Sequence, residues 1–188
     1  MKYHQFKKYV RADIYRYAGN KKTNKWKLIL CNAGLRYTVV MRLLRMTRSN
    51  AMLWPIFFVL RWYRARLSIK YGIDIPYHTS IGPGLYIGHY GGIIVNQEVV
   101  IGNNCNINHG VTLGVAYGGR YPGCPRIGHN VFFGAGCKVF GGIEIGDHAA
   151  VGANCVVTKP VPDSAVVVGV PGKVISYKGS GAYVIDTI

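Results

Sequence analysis

From residue 75 onward an apolar residue returns at every sixth position, and this period constrains the fold more than any other feature of the chain. The series runs Ile75, Ile81, Ile87, then Val95, Ile101, Ile107, Leu113, then Ile127, Phe133, Val139, Ile145, Val151 and Val157. Glycine often follows, as at Gly82, Gly88, Gly102, Gly128, Gly134, Gly146 and Gly152. The fifth place of each hexapeptide is also small or apolar: Thr79, Leu85, Gly91, Val99, Cys105, Val111, Val131, Cys137, Ile143, Ala149, Cys155 and Val161. An amphipathic helix repeats near 3.6 and tolerates little glycine. A hairpin sheet alternates with a period of two. Two inward positions in six, with glycine at the bends, suit a parallel β-helix, in which each short strand buries its apolar residues against the next coil.

The register breaks twice. Two residues are inserted at Gly91-Gly92, and eight between Leu113 and Ile127. The longer insertion, in VAYGGRYPGCPR, reads as a loop projecting from a rigid solenoid, where function commonly resides.

Charge divides the chain. The formal net charge is +16, and residues 1–73 hold 17 of the 23 Lys and Arg against a single acid, Asp13. The remainder balances six cations with six carboxylates. The first part is poor in Gly and Pro and reads as two or three helices ending near Ser68. The expected organisation is a basic helical segment over 1–70, a β-helix of about five coils over 71–176, and a tail over 177–188. The stretch MLWPIFFVLRWYRAR mixes aromatics with arginines. It fits either packing on the β-helix or a sister subunit, or contact with an anionic membrane surface. Helix-turn-helix punctuation and zinc spacing are missing, which sets nucleic acid aside. No signal peptide is visible, and the longest apolar run, Ala51 to Leu60, is half of what a spanning helix needs. The expected location is the cytoplasm, with the inner face of the cell membrane left open. Five cysteines, an odd number, argue against a disulfide framework. Cys105, Cys137 and Cys155 fall at inward positions and read as core.

The hexapeptides, with the ordered stretches GIDIPYHTSIGPGLYIGHYGGIIVN, INHGVTLG, FGAGCKVFGGIEIGDHAAVGANCVV and VGVPGKVI, resemble the left-handed β-helix acyltransferases. Within that superfamily, residues 72–175 most resemble the serine acetyltransferase-like branch. The resemblance implies a left-handed prism with three hexapeptides per coil, a homotrimer with sites between neighbouring prisms, and acetyl-CoA as acyl donor with no metal. With three hexapeptides per coil, Ile87, Ile107, Phe133 and Val151 share a face. A column then runs His89, His109, Ala135, Ala153.

Acetyl transfer from a thioester needs a base for the attacking hydroxyl and a donor for the oxyanion. Histidine titrates in the right range for the base. The resemblance carries the base onto His89 and its supporting carboxylate onto Asp74. His109, stacked over His89, can contact substrate, donate to the oxyanion or serve as the base. Gly134, Ala135, Ala153, Lys159 and Lys173 match places where relatives contact CoA, the lysines as point charges for phosphate. The inserted loop contributes Arg120, Tyr121 and Cys124 beside the substrate. Serine acetyltransferases carry Arg-His-Pro in that loop, where this chain has Gly123, Cys124 and Pro125. They also carry an aspartate before the base, where this chain has Gly88. Those departures direct the expectation to a sugar hydroxyl, as in bacterial surface polysaccharide O-acetylation. The alternatives are serine O-acetylation and a non-catalytic scaffold that binds a partner through its basic helices.

Overall fold

A computed structural model describes residues 1–187. Four helices precede the coils: α1 (Tyr3–Ala18), α2 (Lys25–Cys31), α3 (Ala33–Thr47) and, after a 3-10 turn at Ala51–Leu53, α4 (Trp54–Tyr71). The expected two or three helices are thus four, and the last runs past Ser68 to Tyr71. Asn24 caps α2 by accepting from the backbone of Trp26 and Lys27. Pro55, which interrupts the apolar run in sequence, lies in the first turn of α4, where its missing N–H costs nothing. Gly72 ends α4 in the left-handed conformation that glycine adopts without strain. No described helix is long and apolar enough to cross a membrane.

The repeats form a left-handed β-helix with three parallel sheets. The first stacks Ile73–Asp74, Ile93–Val95, Thr112–Gly114, Lys138–Phe140 and Val156–Val157. The second stacks Ser80–Ile81, Val100–Ile101, Arg126–Ile127 and Glu144–Ile145. The third stacks Tyr86–Ile87, Asn106–Ile107, Phe132–Phe133, Ala150–Val151 and Val166–Val168, and closes with the antiparallel Lys173–Ser176. Every apolar residue of the sixfold series is buried, and so is every fifth-place residue except Gly91. One contiguous core therefore runs through the prism and into α3 and α4. At the corners, Asn104, Asn130, His148 and Asn154 hold positive φ, near 57°, 57°, 59° and 55°, where Asn is among the few tolerated side chains.

A solenoid leaves the open edge of its first coil without backbone partners. Here the helices supply them with side chains. The Tyr17 hydroxyl accepts from the Ile87 amide (2.9 Å) and donates to the Ile87 carbonyl (3.1 Å). Tyr37 repeats the device at Ile75, accepting at 3.2 Å and donating at 2.9 Å. Asp13 accepts from the amides of Gly84 and Leu85 and is ion-paired with Arg42 at 3.1 Å, both side chains fully buried. Arg42 in turn donates to the carbonyls of Ile81 and Gly82 at 2.6 Å each, and Arg45 donates to Thr79. Arg16 donates to Gly84 and to the Asn106 side chain. The basic helical segment is therefore only partly a solvated face. Arg16 and Arg42 are interior residues, and they are buried because bare strand carbonyls face them.

The C-terminal tail is packed rather than free. Tyr183 stacks on Phe132 with centroids 4.4 Å apart, its carbonyl accepts from Asn106, and Ser180 donates to the Asn130 carbonyl.

Candidate active site

Strand pairing sets the geometry. Ile87 pairs with Ile107, Ile107 with Phe133, and Phe133 with Val151, so the corner residues two places further on form one column. His89 and His109 stand at its head, both exposed, with ring centroids 6.0 Å apart and planes at 79°. Ala135 is half-buried and Ala153 exposed, so the column continues as a shallow track without bulky side chains. At about 4.8 Å per coil, four steps from His89 reach Gly169, roughly 19 Å along the corner. Lys159 and Lys173 line one cleft at that end of the prism, with Pro160 and Pro171; Lys159 follows Val157 of the first sheet and so leaves from a neighbouring corner, not from the column itself. The column offers two imidazoles at its head and small residues beyond them, and the two cations stand at the far end of the prism.

The backbone around His89 is shaped by the insertion. Gly91 and Gly92 take φ of +112° and +64°, and a side chain at either place would be strained. Tyr90, beside the histidine, rests on Tyr71 at the end of α4, centroids 5.1 Å apart, and Tyr71 accepts from Arg36 at 2.8 Å. The sequence reading missed this shelf, which joins helix and corner, because α4 and Tyr90 are brought together only by the docking of the helices. Beside His109, the Lys138 ammonium donates to the Gly110 carbonyl and to Thr112, pinning the turn that carries the second imidazole.

Asp74 does not join the pair. It occupies the outward position of the first strand, is exposed, and lies 4.0 Å from Arg64. Among the described residues it shares no hydrogen bond with His89. The alternation of the strand turns it toward α4, so within one chain the expected carboxylate support of the base is not formed. Gly134 also departs from its expected place on the CoA track. It is buried, its amide donates to Val151 at 2.7 Å, and a Cβ there would lie 2.6 Å from the Ala153 nitrogen. Close stacking of coils requires this glycine, and Ala135 and Ala153 present the surface.

The inserted loop is a hairpin closed by Ala116 and Gly123, which exchange hydrogen bonds of 3.0 and 2.8 Å. Tyr117 and Arg120 are exposed at its tip, and the Arg120 guanidinium lies over the Tyr121 ring at 5.5 Å. Gly123 holds φ of +112°, a conformation that suits glycine and not the arginine that the serine acetyltransferases carry in that register. Cys124 is half-buried, and burial, then the charge of Glu98, raises its thiol above the ordinary range. That suits a bystander better than a nucleophile. Burial pushes Cys105 and Cys137 up to about 12. His129 accepts from the Asn103 amide and His148 holds a corner, so both serve turns.

The family described as "Hexapeptide repeat of succinyl-transferase" matches residues 126–159. The chain is similar to the serine acetyltransferase of Mycobacterium tuberculosis, 47% identical over 55% of this chain and 45% of that protein. It is also similar to the serine acetyltransferase of Helicobacter pylori, 34% identical over 81% of this chain and 87% of that one. The crystal structure of serine acetyltransferase in complex with Coenzyme A from Brucella abortus superposes with a TM-score of 0.77 at 27% identity, covering 95% of this chain and 70% of that chain. The match spans 45%, 62% and 42% of the length of three curated serine acetyltransferases. These relatives are named for serine, and the comparisons give no support to the expected polysaccharide acceptor.

Proposed function

The chain belongs to the serine acetyltransferase family of hexapeptide-repeat acyltransferases, and from that premise we propose that it moves the acetyl group of acetyl-CoA onto the hydroxyl of L-serine. The observation that carries this reading is the corner column, with two imidazoles heading a track of small residues; two lysines line a cleft at the far end of the prism. His89 takes the proton of the serine hydroxyl as the oxygen attacks the thioester carbonyl. The C–O bond forms, the C–S bond breaks, and the proton passes to the departing thiolate. The two imidazole rings stand 6.0 Å apart between centres, and in this reading His109 is the donor to the developing oxyanion. Ala135 and Ala153 leave room for the pantetheine arm, and Lys159 and Lys173 meet phosphate charge as point cations. The working assembly is a homotrimer, in which a neighbouring prism walls the exposed corner and completes the site.

The loop qualifies how serine is held. A carboxylate bound without its arginine loses a charge-assisted, bidentate partner. Gly88 offers no carboxylate to the serine ammonium, and a Cβ there would lie 3.1 Å from the Tyr86 ring and 3.2 Å from the Asn108 side chain. Serine is therefore expected to bind weakly, with a high KM and an intact kcat. The test is release of free CoA from acetyl-CoA with L-serine or with ethanolamine, which lacks the carboxylate. Saturable turnover with serine at high concentration supports the reading. Turnover that ignores serine and follows an uncharged polyol overturns the acceptor, and an absence of CoA release with every hydroxyl supports the scaffold alternative.

A further inference from the structure

Helix α4 is apolar on both sides. Phe57, Leu60, Leu67 and Tyr71 face the core, partly or fully buried. The opposite stripe, Phe58, Trp62, Ala65 and Ile69 at steps of four, three and four, is exposed along its length, with Trp62 60% and Ile69 84% exposed. A soluble helix ordinarily turns a polar face outward. Here the outward face is apolar and edged with cations: Arg61, Arg66 and Lys70 are exposed beside it, and the Arg66 guanidinium lies over the Trp62 ring at 4.9 Å.

The exposed charge that the helical segment itself carries has one sign; the nearest carboxylate from outside it, Asp74, lies by Arg64 on the side of α4 that meets the prism. Asp13 is the only acid among residues 1–73, and it is sealed in the pair with Arg42. The surface of the helical segment therefore presents cations and no carboxylate of its own. A second copy of the same face would bring like charges together, which disfavours self-pairing. An apolar stripe rich in Trp and Phe, flanked by Arg and Lys on a helix unable to span a bilayer, has the chemistry of an interfacial helix.

We propose that the outward face of α4 docks the protein on the surface of a membrane containing anionic lipids, with Trp62, Phe58 and Ile69 in the acyl boundary and Arg61, Arg66 and Lys70 among the headgroups. The last residue of α4, Tyr71, packs on Tyr90 beside His89, so this docking sets the His89 end of the prism at the membrane. The inference stands on exposure and charge and is independent of the acceptor.

Flotation of the full chain with phosphatidylcholine vesicles, with and without phosphatidylglycerol, tests it, alongside the oligomer mass by light scattering. Binding is expected only to the anionic vesicles, with a blue shift of tryptophan emission and loss at high salt. Replacing Arg61, Arg66 and Lys70 with Gln is expected to weaken binding on the order of a hundredfold, at about fivefold per cation. Trp62→Glu is expected to abolish it with an unchanged circular dichroism spectrum and oligomer mass. Three results overturn the proposal: wild-type protein unbound by both vesicles, equal binding to both, or a Trp62→Glu variant whose oligomer dissociates while vesicle binding persists. The last would mean that a second copy covers this face.

Discussion

At the scale of single residues, the site is simple and the chemistry is concentrated in the imidazoles. The cysteines illustrate how environment separates residues of one type. Cys105, Cys137 and Cys155 were legible as core from their place in the hexapeptide, because an inward position admits only small or apolar side chains. Cys124 was legible only as a loop residue, and its burial beside Glu98 comes from the hairpin. With a thiol titrating above its usual range, less thiolate is present at a given pH. Labelling of the native protein at pH 8 with a disulfide reagent is therefore expected to be fast at exposed Cys31, slow at Cys124 and rising with pH, and negligible at the other three until the chain is denatured. Fast labelling of Cys124 at neutral pH would revive it as a nucleophile. Asp74 shows the opposite case. Resemblance gave it a role beside the base, yet the pleat of its strand turns it toward Arg64, a contact visible only once α4 is in place.

At the scale of elements, the join between helices and prism depends on polar side chains that stand in for a missing strand. Periodicity revealed the coils but not this join, since Tyr17, Tyr37, Asp13 and Arg42 form no repeat. Their partners are 70, 38, 71 and 39 residues away along the chain. Removing the Tyr37 hydroxyl leaves the Ile75 amide unsatisfied while its carbonyl keeps Arg64 at 3.3 Å, so Tyr37→Phe is expected to cost about 1–3 kcal/mol in urea unfolding. Asp13→Ala leaves Arg42 buried without a counter-charge and is expected to cost about 3–5 kcal/mol. A midpoint unchanged in both variants would contradict the account of the cap. The loop belongs to this scale too. Its length and place were legible as a break in register, whereas the positive φ at Gly123, which makes the backbone itself unsuited to the arginine of the serine acetyltransferases, was not.

At the scale of the whole molecule, a near-neutral prism is joined to a cationic helical cap, and its candidate site lies open on a corner. The charge split was plain in composition, but the division of those cations into buried strand caps and an exposed rim was not, because it depends on which strand carbonyls the helices meet. An exposed pair of imidazoles invites a second wall. Sedimentation velocity is expected to give a particle of three 20.7 kDa chains, and a monomer with full activity would contradict a site shared between prisms. The central claim is that His89 accepts the hydroxyl proton during acetyl transfer. The most direct measurement is serine-dependent release of free CoA by wild-type protein and by His89→Ala, with CoA affinity measured in parallel by calorimetry. With His89 as the base, kcat is expected to fall by roughly 10²–10⁴-fold with CoA affinity unchanged. Turnover by His89→Ala equal to wild type would contradict it.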